Sequence, residues 1–283
     1  MFFATKAKGC LIASYRVVGL GKMNTFPTNV KVLQITRISA NRLSCAVTVS
    51  DFVRKVECDV RRMAEINFVR IVSMPFDENT YVVYKEGLTS CVVVDPGLEP
   101  GKIVEVLKER KLEVAAILNT HGHSDHIAGN ATMKELWPDA PLIIGWEDAE
   151  KLTDPDKNLS APFGLPFVSP KEDATVREGD SYNAAEIDFE VRETPGHSKG
   201  HVVFIVKDGE RTIVLGGDVL FKGSIGRTDF PDGSFADLKT AIEEKLFTLP
   251  GDSIILPGHG PATSVEEEIA GNPFVGRPAG YRG

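Results

Sequence analysis

Histidine is scarce in this chain, six residues in 283, and cysteine is scarcer, four residues without a single CxxC spacing. Cys10, Cys45, Cys58 and Cys91 make no disulfide framework, which points to a reducing compartment. Cys91 lies in the apolar run Cys91-Val92-Val93-Val94, the setting of a buried, inert thiol rather than a nucleophile. No stretch approaches the ~18 uninterrupted apolar residues of a membrane span. The first fifty residues contain no acid at all, whereas the whole chain carries a formal charge of −8. Residues 1–62 hold eleven Lys/Arg against three Asp/Glu, so residues 63–283 carry a net charge of −16. An acidic body argues against nucleic acid as a partner, since phosphate recognition needs clustered basic groups.

The basic N-terminal segment, residues 1–62, admits three readings. Seven Lys/Arg and nine Ser/Thr in the first fifty residues match an organelle transit peptide. A reading frame begun too early is favoured, because patterned sequence starts abruptly at Met63 and the segment lacks a long Arg-rich amphipathic helix. A small genuine extension would use the β-prone runs Val30–Ile35 and Leu43–Val49. In each reading residues 63–283 form the main domain, residues 1–62 carry none of its chemistry, and the protein is expected in the cytoplasm unless residues 1–62 direct it to an organelle.

From Phe68 onward, short Val/Ile-rich runs alternate with segments of helical periodicity, which predicts an α/β fold. Strands are expected at Phe68–Met74, Tyr81–Tyr84, Ser90–Val94, Ala115–Leu118, Leu142–Gly145, Phe189–Glu193, His201–Val206, Arg211–Leu215 and Ser253–Leu256. Helices are expected at Lys102–Arg110 and Ala131–Trp137, and capping boxes set two more starts near Phe235 and Val265. The proline-rich stretch Asp154–Pro170 reads as a loop that forms a flap over a cleft.

Against this scarcity of histidine, Thr120-His121-Gly122-His123-Ser124-Asp125-His126 gathers half of the chain's imidazoles. Alternate residues of an extended segment point the same way, so His121 and His123 can reach one ion while Asp125 and His126 turn toward a second. His197, Asp218 and His259 each follow an expected strand end and are flanked by glycine on at least one side, where backbone can approach a ligand closely. His201 begins an expected strand and reads as structural.

This set, His121-x-His123-x-Asp125-His126 followed by His197, Asp218 and His259, resembles the metallo-β-lactamase-fold hydrolases over residues 66–275. Asn79-x-Tyr81 and Asp95-Pro96-Gly97 are similar to the family's opening hairpins. The resemblance implies a four-layer αβ/βα sandwich with metals at one sheet edge. It assigns His121, His123 and His197 to one metal, Asp125, His126 and His259 to the other, and Asp218 to both. Two divalent ions are thus expected, zinc first, with iron or manganese compatible with the same donors. Asp125 is the candidate to orient water and take its proton.

Gly223-Ser224-Ile225-Gly226-Arg227-Thr228-Asp229-Phe230 resembles the loop after the bridging aspartate in short bacterial type II glyoxalases, the hydroxyacylglutathione hydrolases. That implies a small glutathione-derived thioester as substrate, with Arg227 gripping a carboxylate, although an Arg227–Asp229 pair serving structure alone fits as well. Long glyoxalases II carry a C-terminal helical domain, whereas 24 residues follow His259 here, so Tyr281 and Arg282 are candidates to replace some contacts. The competing enzyme reading is a mononuclear iron persulfide dioxygenase using His121, His197 and Asp218. A metal-dependent scaffold without turnover is the non-enzyme reading. The sequence sets no oligomeric state.

Overall fold

The computed structural model describes residues 66–283, together with a short antiparallel backbone pair, Lys6–Ala7 with Cys10–Leu11. The expectations for Val30–Ile35, Leu43–Val49 and the switch at Met63 lie outside the described residues. The first sheet has the order β1-β2-β3-β4-β5-β6. Its strands are β1 Ile66–Ser73, β2 Glu78–Lys85, β3 Ser90–Val94, β4 Glu113–Asn119, β5 Leu142–Gly145 and β6 Ala174–Val176. Strands β1 to β3 pair antiparallel and β3 to β6 parallel, as the crossover through helix α1 Pro100–Arg110 requires.

The second sheet comprises β7 Ser181–Ala184, β8 Ile187–Glu193, β9 Val202–Asp208, β10 Arg211–Gly217, β13 Ile254–Pro257 and β14 Thr263–Ser264. It runs in the order β14-β13-β10-β9-β8-β7, with β10 and β13 parallel. Between β10 and β13, a two-residue pair, β11 Leu220–Phe221 with β12 Ser224–Ile225, stands apart from both sheets.

Side chains alternate across each strand, and the two faces go to different cores. Val83, Val92, Val94 and Leu118 of the first sheet meet Phe189, Val191, Phe204 and Leu215 of the second, all essentially inaccessible. The opposite face, through Val82, Val93, Ile117 and Ile144, packs on Ile103 and Leu107 of α1 and Met133 of the short helix α3 Asn130–Leu136. On the far side Val203, Ile205 and Val214 pack on Leu238, Ile242 and Val265. Those three come from α4 Phe235–Ala241, the π-helical turn Ile242–Leu246 that continues it, and α5 Val265–Gly271. The four layers are therefore helix, sheet, sheet, helix, as expected. Strands buried on both faces read as continuous Val/Ile runs, which is why the periodicity located them.

Both capping serines act as expected: Ser234 Oγ accepts from Asp237 N at 3.3 Å and Ser264 Oγ from Glu267 N at 3.2 Å. Edge strands β6 and β7 escaped the sequence reading because they are short, partly exposed and carry few apolar residues. The 154–170 stretch follows a 3-10 turn, Ala149–Thr153, and stays a loop.

Asp173 locks β6 to the first sheet, accepting from Leu142 N at 2.8 Å and Lys134 Nζ at 2.9 Å. Those two donors hold its carboxyl below the usual aspartate value of 3.8. A depressed folded value contributes stability above the unfolded value, and that contribution fades as pH falls through the folded one. Asp173→Asn is therefore expected to melt in less urea than wild type near neutral pH, with the gap closing as pH drops below 3.8. A gap that stays constant over that range would contradict the assignment.

Candidate metal centre

The strand ends β2, β4, β10 and β13 converge at one edge of the sandwich. The 120–126 segment leaves β4 and turns directly into the four-residue helix α2 Ser124–Ile127. Donor atoms there form three overlapping groups, His121/His123/His197, His121/His126/Asp218 and Asp125/His126/His259, each with its atoms within 4.8 Å of one another. Every histidine and aspartate picked out as a metal ligand in the sequence thus lies in one cluster. His123 Nδ1 and His197 Nε2 stand 2.9 Å apart, and His126 Nε2 and His259 Nε2 3.3 Å apart. Asp218 sits between the halves: Oδ1 is 3.5 Å from His126 Nε2, and Oδ2 is 3.5 Å from both His197 Nε2 and His259 Nε2.

Outer partners fix which ring nitrogen faces inward. His197 Nδ1 donates to Arg227 O at 2.8 Å and His259 Nδ1 to Phe76 O at 2.9 Å, leaving each Nε2 free as an acceptor. Asp95 accepts from Thr120 N and Thr120 Oγ1, both at 2.7 Å, and pairs with His126 Nδ1 at 3.1 Å. Because the Thr120 hydroxyl proton goes to Asp95, His121 Nδ1 donates to Thr120 Oγ1 at 3.1 Å and His121 Nε2 keeps its lone pair.

The donor set fits two divalent cations. His121 Nε2, His123 Nε2 and Asp218 Oδ1 are buried without a hydrogen-bond partner, an arrangement that costs about 1–3 kcal/mol per group unless something else is ligated. Burial, with neighbouring imidazoles adding to it, pushes His121 and His123 well below the ordinary histidine range, and burial also lowers His197. These three therefore present neutral imidazole, the ligating form. The other half carries surplus negative charge. Burial opposes ionisation of His126, yet Asp125, Asp218 and Asp95 drive its value well above the ordinary range. Burial likewise would raise Asp125, but His126 and His259 hold it at about 2. Gly258 leaves the cradle open, since a Cβ there would collide with Asp218 Oδ1 and the His126 ring.

Several positioning residues escaped the sequence reading. His201, read as structural, accepts from Asp218 N at 3.0 Å through Nε2 and bonds Thr194 Oγ1 at 2.8 Å, so it orients the residue shared by both halves. Asp95 follows a Val run at a strand end, the same signal that picked out Asp218. Asn79 and Tyr81, noted only for resemblance, hold the 257–260 loop: Asn79 N donates to Gly258 O at 2.7 Å and Tyr81 Oη to Pro257 O at 2.9 Å. Glu78 is fully buried beside them. Burial first, then Asp95 and Asp125, hold its carboxyl well above the ordinary range. Asp148 binds Gly122 N, Gly200 N, Ser198 Oγ and Lys151 Nζ. An acid in a turn gave no sign of that role.

A cleft of about 380 Å³ opens over the cluster, bounded by His123, Asp125, His197, Asp218 and His259 and by Phe76, Leu159, Phe163, Phe221, Ile225, Arg227 and Phe230. Leu159 and Phe163 come from the 154–170 loop, which therefore supplies part of the cleft wall. Arg227 stands on the wall with Nε and Nη2 each 2.9 Å from Asp229, and its guanidinium lies 4.5 Å from the Phe230 ring centroid. Tyr281 corrects an expectation: it packs on Phe247 at 4.9 Å, on the helix side of the second sheet, and does not line the cleft. Packing of a half-apolar side chain against an open hydrophobic face outweighs reaching into the cleft.

The family model described as the metallo-beta-lactamase superfamily matches residues 74–259. A probable metallo-hydrolase of Bacillus subtilis, YqgX, is 38% identical over 202 residues, 71% of this chain and 93% of the relative. The hydroxyacylglutathione hydrolase GloC of Haemophilus influenzae is 33% identical over 207 residues, again 71% and 93%. Among solved structures, the B3 metallo-beta-lactamase BLEG-1 superposes with a TM-score of 0.70 at 33% identity, covering 74% of this chain and 99% of that one.

Proposed function

Since this chain belongs to the metallo-β-lactamase superfamily, we propose that it is a binuclear metal-dependent hydrolase of small glutathione-derived thioesters, of the S-D-lactoylglutathione type. The observation that carries the reading is the meeting of two donor groups on one cleft, with Asp218 reaching both. The name of the GloC relative supports the thioester class. His121, His123 and His197 would hold one ion, Asp125, His126 and His259 the other, and Asp218 both, with zinc the first choice for imidazole and carboxylate donors. When bound, such ions polarise a carbonyl and lower the pKa of water to ~7.

The chain's own groups then order the reaction. The Asp125 carboxylate, held ionised by His126 and His259, lies with Oδ2 3.3 Å from His259 Nε2 and is the group assigned to orient water and accept its proton. Attack forms a C–O bond to the acyl carbon. The C–S bond breaks, and the thiolate leaves and takes up a proton as thiol. Phe76, Phe163, Phe221 and Phe230 give the cleft apolar walls, beside which electrostatic contacts are stronger than in open water. Arg227 at the wall is the group to meet a carboxylate of the thiol, exchanging part of its hold on Asp229. No nucleic acid or membrane partner is proposed, and among the described residues no helix is long and apolar enough to cross a membrane. A cytoplasmic setting fits a glutathione substrate.

A persulfide dioxygenase would use His121, His197 and Asp218 around a single iron, and the Gly223-Ser224-Ile225 loop, similar to that of the short glyoxalases, favours the hydrolase over it. Metal-counted protein should hydrolyse S-D-lactoylglutathione and consume no O₂ with glutathione persulfide. O₂ uptake with about one iron per chain would reverse the assignment, and β-lactam turnover without thioester turnover would move it to the antibiotic-cleaving members.

A further inference from the structure

Beside the cleft, and sharing Phe76, Ser124 and Phe163 with it, lies a second recess of about 260 Å³ walled by Met74, Pro75, Leu98, Leu165 and Phe167. Phe76 and Phe163 line both recesses, with ring centroids 5.8 Å apart, so they form the sill between them. No charged side chain lines this groove; its polar members are two serines, Ser124 and Ser160. Its apolar groups are also left in water: Met74 is 53% exposed, Phe76 43%, Phe163 56% and Leu165 74%. Ten large hydrophobic residues are exposed among the described residues, and these four share one groove next to the reacting atoms. Single exposed apolar side chains are ordinary, but a contiguous group bordering a site marks binding.

Resting on the thioester reading above, we propose that this groove is the acyl subsite and that, among the glutathione thioesters the enzyme hydrolyses, an apolar, medium-length aliphatic acyl group is preferred over the short hydroxylated lactoyl group. The two ends of a thioester differ in what they can leave behind. A glutathionyl thiol carries carboxylates and an ammonium group, which an uncharged apolar wall cannot desolvate without loss. Arg227 borders the cleft and not the groove, so the charged end has its partner elsewhere. The acyl chain is the end that remains for the groove, crossing the Phe76/Phe163 sill. Phe76 also fixes the geometry, because its carbonyl accepts from His259 Nδ1 and so ties the wall of the groove to the metal-binding cluster.

The test is kcat/KM for S-acetyl, S-butyryl, S-hexanoyl and S-octanoylglutathione beside S-D-lactoylglutathione, on metal-loaded full-length wild type and on a Met74→Ser/Leu165→Ser double variant. Binding of S-methyl and S-octylglutathione, which cannot be hydrolysed, is read by calorimetry on both proteins. Wild type is expected to gain about threefold per added methylene, somewhat less than full burial would give because the groove is half open. The double variant should lose most of that slope, and S-octyl should lose its advantage over S-methyl. Equal rates for all acyl groups, a preference for lactoyl over octanoyl, or a slope unchanged in the variant overturns the groove assignment while leaving the hydrolase reading in place. Hydrolysis of none of the thioesters overturns the thioester reading and the acyl subsite with it.

Discussion

Asp218→Ala is expected to lower kcat/KM at least about a thousandfold and to reduce bound metal below two ions per chain, because one carboxylate serves both halves of the cluster. Its oxygens lie 3.5 Å from His126, His197 and His259, and its backbone N–H is held by His201. Charge stabilisation at such a centre is worth several kcal/mol, and each 1.36 kcal/mol is tenfold in rate. Asp218→Asn separates charge from shape, since it keeps the side-chain volume and the backbone bond to His201 and removes the negative charge. It should fold like wild type and still lose most activity. Metal analysis beside thioester kinetics reads both effects. An alanine variant with two ions and near-wild-type turnover would sink the shared-ligand assignment.

Asp148→Ala is expected to destabilise the fold by about 3 kcal/mol, at the lower end of the cost of breaking a buried ion pair. The side chain is fully buried, accepts from Gly122 N and Gly200 N at 2.8 Å each and from Ser198 Oγ, and lies 3.2 Å from Lys151 Nζ. Removing it orphans these donors together. Lys151 keeps a second partner, Asp232 at 2.7 Å, which limits the loss. The bonds run between the loop of His121 and His123 and the loop of His197, so the same change should loosen the first donor group and weaken metal binding about tenfold or more. Urea melts with and without chelator measure the two parts. A midpoint shift worth less than about 0.5 kcal/mol would place Asp148 among ordinary surface acids instead.

Much of this was legible before any coordinates. The Val/Ile runs located the inner strands because a strand buried on both faces has no polar face to interrupt it, and Phe189, Val203 and Val214 illustrate the point. Seven metal-cluster residues were legible because histidine is rare here and strand ends are where an α/β sandwich presents side chains to a ligand. What stayed hidden works at second remove. Asp148 meets Gly122, Ser198 and Gly200, and His201 meets Asp218, across gaps of 17 to 52 residues, and nothing local distinguishes them from a surface acid or a strand-end imidazole.

The groove shows the same limit from the apolar side. Met74, Leu98 and Leu165 are separated by tens of residues, and each read alone is unremarkable hydrophobic punctuation in a loop. By itself the sequence determined the inner strands, the ligand types and their grouping after strand ends, because periodicity and scarcity are properties of a one-dimensional string, whereas the layer order came from the family resemblance. Only the tertiary structure decided the distances at which Asp218 reaches both donor groups and that an uncharged groove opens beside the cleft. Those are facts of distance between residues far apart in the chain, and short-range pattern holds no record of them.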